Sequence, residues 1–223
     1  MFFSQGDAGP FAIGTMVMTA NHKDILRFVS ITELVYREMT PLIKKSVTVA
    51  GMLLLGLLVT ACDRNTPLME KVIEGDLAGV KKMLSEAPGQ VDVQNNYGWT
   101  ALSHAVRLGN VEITRLLIEA GADVNVRDKN GWTPLLRAAL KGHDKIVAIL
   151  LEHDAKVNVR ENNGWTALMW AAKRGHDKVV RQLLKAGADY RIKDKQGWTA
   201  MQHAFHEGHQ EIVDMLRLAG ARA

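Results

Sequence analysis

In the last two thirds of the chain, apolar positions follow a helical rhythm that is broken at short intervals. Leu135, Ala138 and Ala139 form a narrow stripe of mostly small residues, opened by Thr133-Pro134 and closed by Gly142. A Thr hydroxyl accepts from free N–H groups at a helix start, Pro needs no donor in a first turn, and Gly suits the residue that ends a helix. After a short turn, Ile146, Val147, Ile149, Leu150 and Leu151 recur at helical spacing with larger side chains. Each contributes about 1.5 to 3 kcal/mol when fully buried, so this second stretch carries most of the burial. The pattern predicts an inner helix whose small residues let neighbours approach closely, followed by an outer helix.

The outer-helix places return as Ile113, Leu116, Leu117 and Ile118, as Val179, Val180, Leu183 and Leu184, and as Ile212, Val213, Met215 and Leu216. Gly98-Trp99-Thr100 likewise returns as Gly131-Trp132-Thr133, Gly164-Trp165-Thr166 and Gly197-Trp198-Thr199, each 33 residues after the last. A fixed period of this size marks a helical pair copied along the chain, each copy too small to bury its apolar face alone. The copies span residues 67–97, 98–130, 131–163, 164–196 and 197–223. The first is degenerate: Leu68, Val72, Val80, Met83 and Leu84 fill core places, but Lys71 stands where other copies have Ala, and residues 85–91 hold one extra residue. In the last, Arg217 replaces an outer-helix aliphatic, so both ends read as caps facing solvent on one side.

Thr133-Pro134-Leu135, Gly142-His143, Gly175-His176, Gly208-His209 and Gly121-Ala122-Asp123-Val124-Asn125 resemble the ankyrin repeat, and the likeness covers residues 66–223. The resemblance implies an all-α fold, an ankyrin-repeat solenoid of about five helix-turn-helix repeats with turns between them. Two departures stand out. The family's His after T-P-L is Ser103, Leu136, Met169 and Gln202, which removes a usual polar tie. Asp154 occupies the helix-ending place of Gly121 and Gly187, where Asp holds a left-handed conformation at some cost.

Ahead of the repeats, residues 39–61 read as a secretion signal: Lys44-Lys45, an apolar run from Val47 to Val59, then Thr60-Ala61. The run is 13 residues long, short of the roughly 20 that cross a bilayer. Val59-Thr60-Ala61-Cys62 resembles the lipobox of bacterial lipoproteins, which implies cleavage before Cys62 and acylation of it, palmitate included. Cys62 is the only Cys, so it forms no internal disulfide. The plain alternative is a buried thiol in an uncleaved helix. Asp63 resembles the signal that keeps enteric lipoproteins in the inner membrane, and residues 62–66 form a tether. Residues 1–38 fit no signal and read as an extension upstream of a true start at Met39.

Composition changes this picture little. At 47% hydrophobic and 23% charged the chain is ordinary for a folded domain. A net charge of +4, from 28 basic against 24 acidic residues, gives no nucleic-acid signal. His203, His206 and His209 make a poor metal site because Gly208 breaks the helix between them, and no metal, cofactor or small-molecule substrate is expected. No nucleophile set, phosphate loop or carboxylate pair stands outside repeated positions, so no enzyme is predicted.

Binding is the remaining class. In the resembled family, partners are met by the turn tips and the exposed side of the inner helices. The tips here carry Trp99, Trp132, Trp165 and Trp198, with Arg127, Lys129, Arg160, Lys193 and Lys195 beside them. Arg107, Lys141, Lys173 and Arg174 stand at the inner-helix ends. Trp and Arg concentrate interface energy, and the cations suit an acidic partner. Two readings of the indoles stand open: an outward-facing binding ladder, or a structural ladder in which each Trp packs on the next turn. Two functions follow. One is a membrane-tethered periplasmic module that holds, inhibits or assists a partner protein; the other is a scaffold resting on anionic head groups.

Overall fold

A computed structural model describes residues 65–221. The upstream extension, the predicted signal at 39–61 and Cys62 lie outside the described residues. Within them the chain forms ten α-helices and no strands. The inner helices are α1 (Pro67–Glu74), α3 (Ala101–Leu108), α5 (Pro134–Lys141), α7 (Ala167–Arg174) and α9 (Ala200–His206). The outer helices are α2 (Leu77–Glu86), α4 (Val111–Glu119), α6 (Asp144–Glu152), α8 (Asp177–Lys185) and α10 (Gln210–Ala221). Each inner helix packs on the next inner helix and on its own outer helix, and outer helices follow suit in a second row. The extra residue of the first repeat is taken up by a short 3-10 turn at Pro88–Gln90.

The capping chemistry expected from sequence is present in every repeat. The hydroxyls of Thr66, Thr100, Thr133, Thr166 and Thr199 accept from the backbone N–H three residues on. Asn65 and Thr66, read from sequence as tether, already belong to the fold: Thr66 caps α1, and Asn95 donates to the Asn65 side chain at 2.8 Å. Where the family His is missing, Ser103 meets the Thr100 hydroxyl, and the Gln202 side chain accepts from Thr199 N–H at 2.8 Å. These contacts stay inside one repeat, so they do not replace a tie between repeats.

That tie comes from the other His. His143 and His176 start their outer helices without capping them by side chain. Instead the His176 ring lies against Gly142 and meets the Leu140 carbonyl at 3.1 Å, and the His209 ring meets the Lys173 carbonyl at 3.1 Å. Gly142 has φ +73°, and a Cβ there would sit 2.7 Å from the His176 ring. The residue must be Gly for two reasons: the left-handed backbone, and the room it leaves for its neighbour's imidazole.

One continuous apolar core runs between the two rows, from Leu68 to Leu216. Leu102, Leu135, Leu168, Ile113, Ile146 and Leu183 are fully buried within it. Asp154, at φ 61°, is the only non-glycine residue with positive φ among the described residues. The penalty foreseen there is therefore imposed on the backbone.

Two stability predictions follow from these backbone angles. Gly75→Ala meets only the left-handed penalty, since nothing lies near its would-be Cβ, whereas Gly142→Ala must also displace His176. In urea titrations, Gly75→Ala costs about 1 kcal/mol and Gly142→Ala clearly more, about 2 to 4 kcal/mol. Asp154→Gly relieves strain, and its melting point rises by an amount equivalent to about 0.5 to 1 kcal/mol.

Candidate binding face

Each tip is a tight turn built on one acceptor. Asn95, Asp128, Glu161 and Asp194 occupy the same place in successive repeats and are buried. Through one side-chain oxygen Asp128 accepts from the Asn130 and Trp132 N–H groups at 2.8 and 2.9 Å; Asp194 does the same for Gln196 and Trp198, both at 2.9 Å. Asn95 and Glu161 repeat the pattern toward Trp99 and Trp165. Turns are joined by backbone bonds from Lys129, Asn162 and Lys195 N–H to carbonyls of the preceding turn. Each Trp is thereby held with its ring against the inner helices.

The rings do not stack directly on one another. The side chain five residues after each of Trp132, Trp165 and Trp198 enters the space between successive indoles, and His104 lies against the first indole, so that four further residues belong to the ladder. Arg137 lies over the Trp99 ring at 3.7 Å and over Trp132 at 5.5 Å. Trp170 is stacked between Trp132 at 5.2 Å and Trp165 at 4.4 Å, and His203 between Trp165 at 4.1 Å and Trp198 at 5.3 Å. His104 meets Trp99 at 5.0 Å. Each aromatic pair adds about 0.5 to 1.5 kcal/mol beyond its buried area, and a desolvated cation over a ring about 2 kcal/mol. The structural ladder is present, with the indole faces consumed in packing, while Trp99, Trp132 and Trp165 are only half-buried and Trp198 is 38% exposed.

Acidic and basic groups behind the ladder are paired. Arg137 forms a buried ion pair with Asp128. Burial works against the guanidinium charge and leaves its pKa below the ordinary Arg value, despite the opposing pull of Asp128. His203 Nε2 lies 2.8 Å from the free oxygen of Asp194. Burial acts to raise the Asp194 carboxyl, but the Trp198 N–H, the His203 ring and the Gln196 N–H together hold it below the usual carboxylate range. Glu161 turns its second oxygen to the Asn163 amide, while Trp170 Nε1 is buried without an acceptor among the described residues.

The predicted basic residues divide into two groups. Arg127 and Arg160 are tied to the next turn: Arg127 donates to the Arg160 carbonyl at 2.8 Å and Arg160 to the Lys193 carbonyl at 2.9 Å. Arg107 and Lys173 lie 5.4 and 5.2 Å from the Trp99 and Trp165 rings, and Lys173 also approaches Glu207 at 3.8 Å. Lys129, Lys141, Arg174, Lys193 and Lys195 are exposed and enter no ion pair among the described residues. His203, His206 and His209 do not converge: they meet Asp194, the edge of Trp198 and the Lys173 carbonyl in turn. The interposed residues Arg137, Trp170 and His203, with His104 beside Trp99, were not singled out by sequence as ladder members. Their signal was a second 33-residue column of flat side chains.

Helix pairs stacked in two rows, with a turn-built face of aromatic and basic side chains, define a repeat-based interaction domain. A family model for ankyrin repeats, three copies long, matches residues 51–128, 68–161 and 157–223. The chain belongs to the ankyrin-repeat family, whose repeats serve generally as protein-interaction modules. Compared with curated proteins, it has no match.

The depressed Asp194 pKa carries a signed consequence. A carboxylate favoured by the fold stabilises it above the ordinary Asp value of about 3.9, and the contribution is lost as pH falls through the lower folded value. Acid titration therefore loosens the last repeat only below about pH 4. Asp194→Asn is less stable at pH 7 by about 1 to 3 kcal/mol and flatter in that acid range, as read from urea midpoints against pH.

Proposed function

We propose that this chain is a lipid-tethered interaction module of the bacterial cell envelope, facing the periplasm and holding, inhibiting or assisting an acidic protein partner. The observation that carries the binding half is the row of half-buried indoles flanked by exposed cations that enter no ion pair among the described residues, among them Lys141 and Arg174. A cation with no internal partner is free to meet a carboxylate, and an indole edge beside it supplies apolar contact. The tether half is supported by the sequence around Cys62: a short apolar run after two lysines, small residues, then the sole Cys. Several acyl chains hold where one would not, since each buried methylene adds about 0.8 kcal/mol. Asp63 supports retention in the inner membrane.

Both halves are testable in one bacterial host. Labelled palmitate enters the wild-type protein, which sediments with membranes, and Cys62→Ser loses the label and the membrane fraction together. Label retained in Cys62→Ser, or an unlabelled soluble wild type, overturns the tether. Lys141→Glu with Arg174→Glu removes a specific periplasmic crosslink while acylation persists. An unchanged crosslink overturns the partner face, and steeply salt-dependent binding to anionic vesicles in its place favours the scaffold on head groups.

A further inference from the structure

The turn tips carry a reactive pair that the indole ladder does not use. The residue before each tip glycine is Tyr97, Asn130, Asn163 and Gln196 in successive repeats, so two of four equivalent turns hold Asn-Gly. In such a pair no Cβ shields the glycine nitrogen, which attacks the carbon of the preceding carboxamide. The new C–N bond closes a succinimide, and the carboxamide nitrogen leaves as ammonia with the proton of the glycine N–H. Water then opens the ring to aspartate or isoaspartate, with no oxidation or reduction. Gln196 would need a six-membered ring and Tyr97 has no carboxamide, so the same turn supplies its own comparisons.

Both Asn side chains are exposed, but both glycines are buried and restrained at the attacking nitrogen. Gly131 N–H donates to the Asp128 carbonyl at 2.9 Å and Gly164 N–H to the Glu161 carbonyl at 2.8 Å, which aims each N–H into its turn and away from the carboxamide. The arginines that clamp one turn to the next also lie on these glycines. A Cβ on Gly131 would sit 2.7 Å from the Arg127 guanidinium, and one on Gly164 2.8 Å from that of Arg160. The two Asn side chains differ. Asn163 donates its amide to the buried Glu161 carboxylate at 3.2 Å, whereas the Asn130 side chain enters no hydrogen bond among the described residues. Conversion at Asn130 adds a carboxylate beside Lys129 in the basic row. At Asn163 it replaces a donor by a carboxylate facing Glu161, at the rim of a cleft of about 520 Å³ between Trp165 and Trp198.

We propose that Asn130 and Asn163 are deamidation sites of this face, kept latent by the closed turn and its arginine clamp, and that Asn130 reacts first. Each reacts from a locally opened turn, so its rate reads the opening of one junction of the stack. The test holds the full chain in detergent in mildly alkaline buffer, with and without denaturing guanidinium chloride, and follows each site by peptide mass mapping. In denaturant Asn130 and Asn163 convert at rates within about twofold of each other while Gln196 stays intact. In buffer both slow at least roughly tenfold, Asn163 more than Asn130. Arg127→Ala speeds conversion of Asn130 in buffer at least roughly threefold with unchanged circular dichroism. Asn163→Asp lowers the urea midpoint and Asn130→Asp leaves it in place. No conversion in denaturant overturns the sites, and equal rates with and without denaturant overturn their latency. Asn163 ahead of Asn130 in buffer overturns the order, and an Arg127→Ala chain that reacts like wild type overturns the clamp.

Discussion

Contact between consecutive repeats holds this domain together, because helices of eight and nine residues such as α5 and α6 do not persist alone. Several devices serve that contact. The small inner-helix residues Ala105, Ala138, Ala139, Ala171 and Ala172 are fully buried where neighbouring helices meet. His176 and His209 reach back over a glycine of the preceding repeat to one of its carbonyls. Arg127 and Arg160 clamp one turn to the next from outside. In such a one-dimensional stack, stability is a sum of weak intrinsic terms and strong neighbour terms, so a fault at one junction is felt locally.

The fold was legible because its causes repeat. Thr before each inner helix and Gly after most of them give the element boundaries, and four outer helices share one apolar spacing, so errors at one copy are corrected by the others. Asp154 was legible for the opposite reason: an odd residue in a column of glycines signals a backbone angle, and the angle is there at φ 61°. The start of the domain was misjudged by two residues, since the Asn65 contact with Asn95 joins positions thirty residues apart and has no local trace.

The site was only half legible. The Trp column is the same in the four later repeats and declared itself, but the column five residues on reads His104, Arg137, Trp170, His203 and looks unpatterned by hydropathy. What these four share is planarity. A slot between two indoles less than about 10 Å apart admits a flat group at stacking distance on both sides and little else. The turn acid then follows its partner: Asp128 and Asp194 meet a base, whereas Glu161 turns its second oxygen to the Asn163 amide. Arg127 and Arg160 were read as free cations because sequence shows charge without direction. Their guanidinium groups reach backbone carbonyls of the following turn instead.

A ladder whose faces are spent on structure and whose edges meet solvent couples recognition to stability. Trp198 is the most exposed of the four indoles. Under the proposed function, a ligand seated in the cleft between Trp165 and Trp198 would favour the closed state of its walls by mass action. By the same linkage, acid that protonates Asp194 weakens the wall of that cleft. Under the proposed function, affinity at this face would depend on how firmly the helix pair of Trp198 is docked, and substitutions deep behind the ladder would alter binding without contacting the partner.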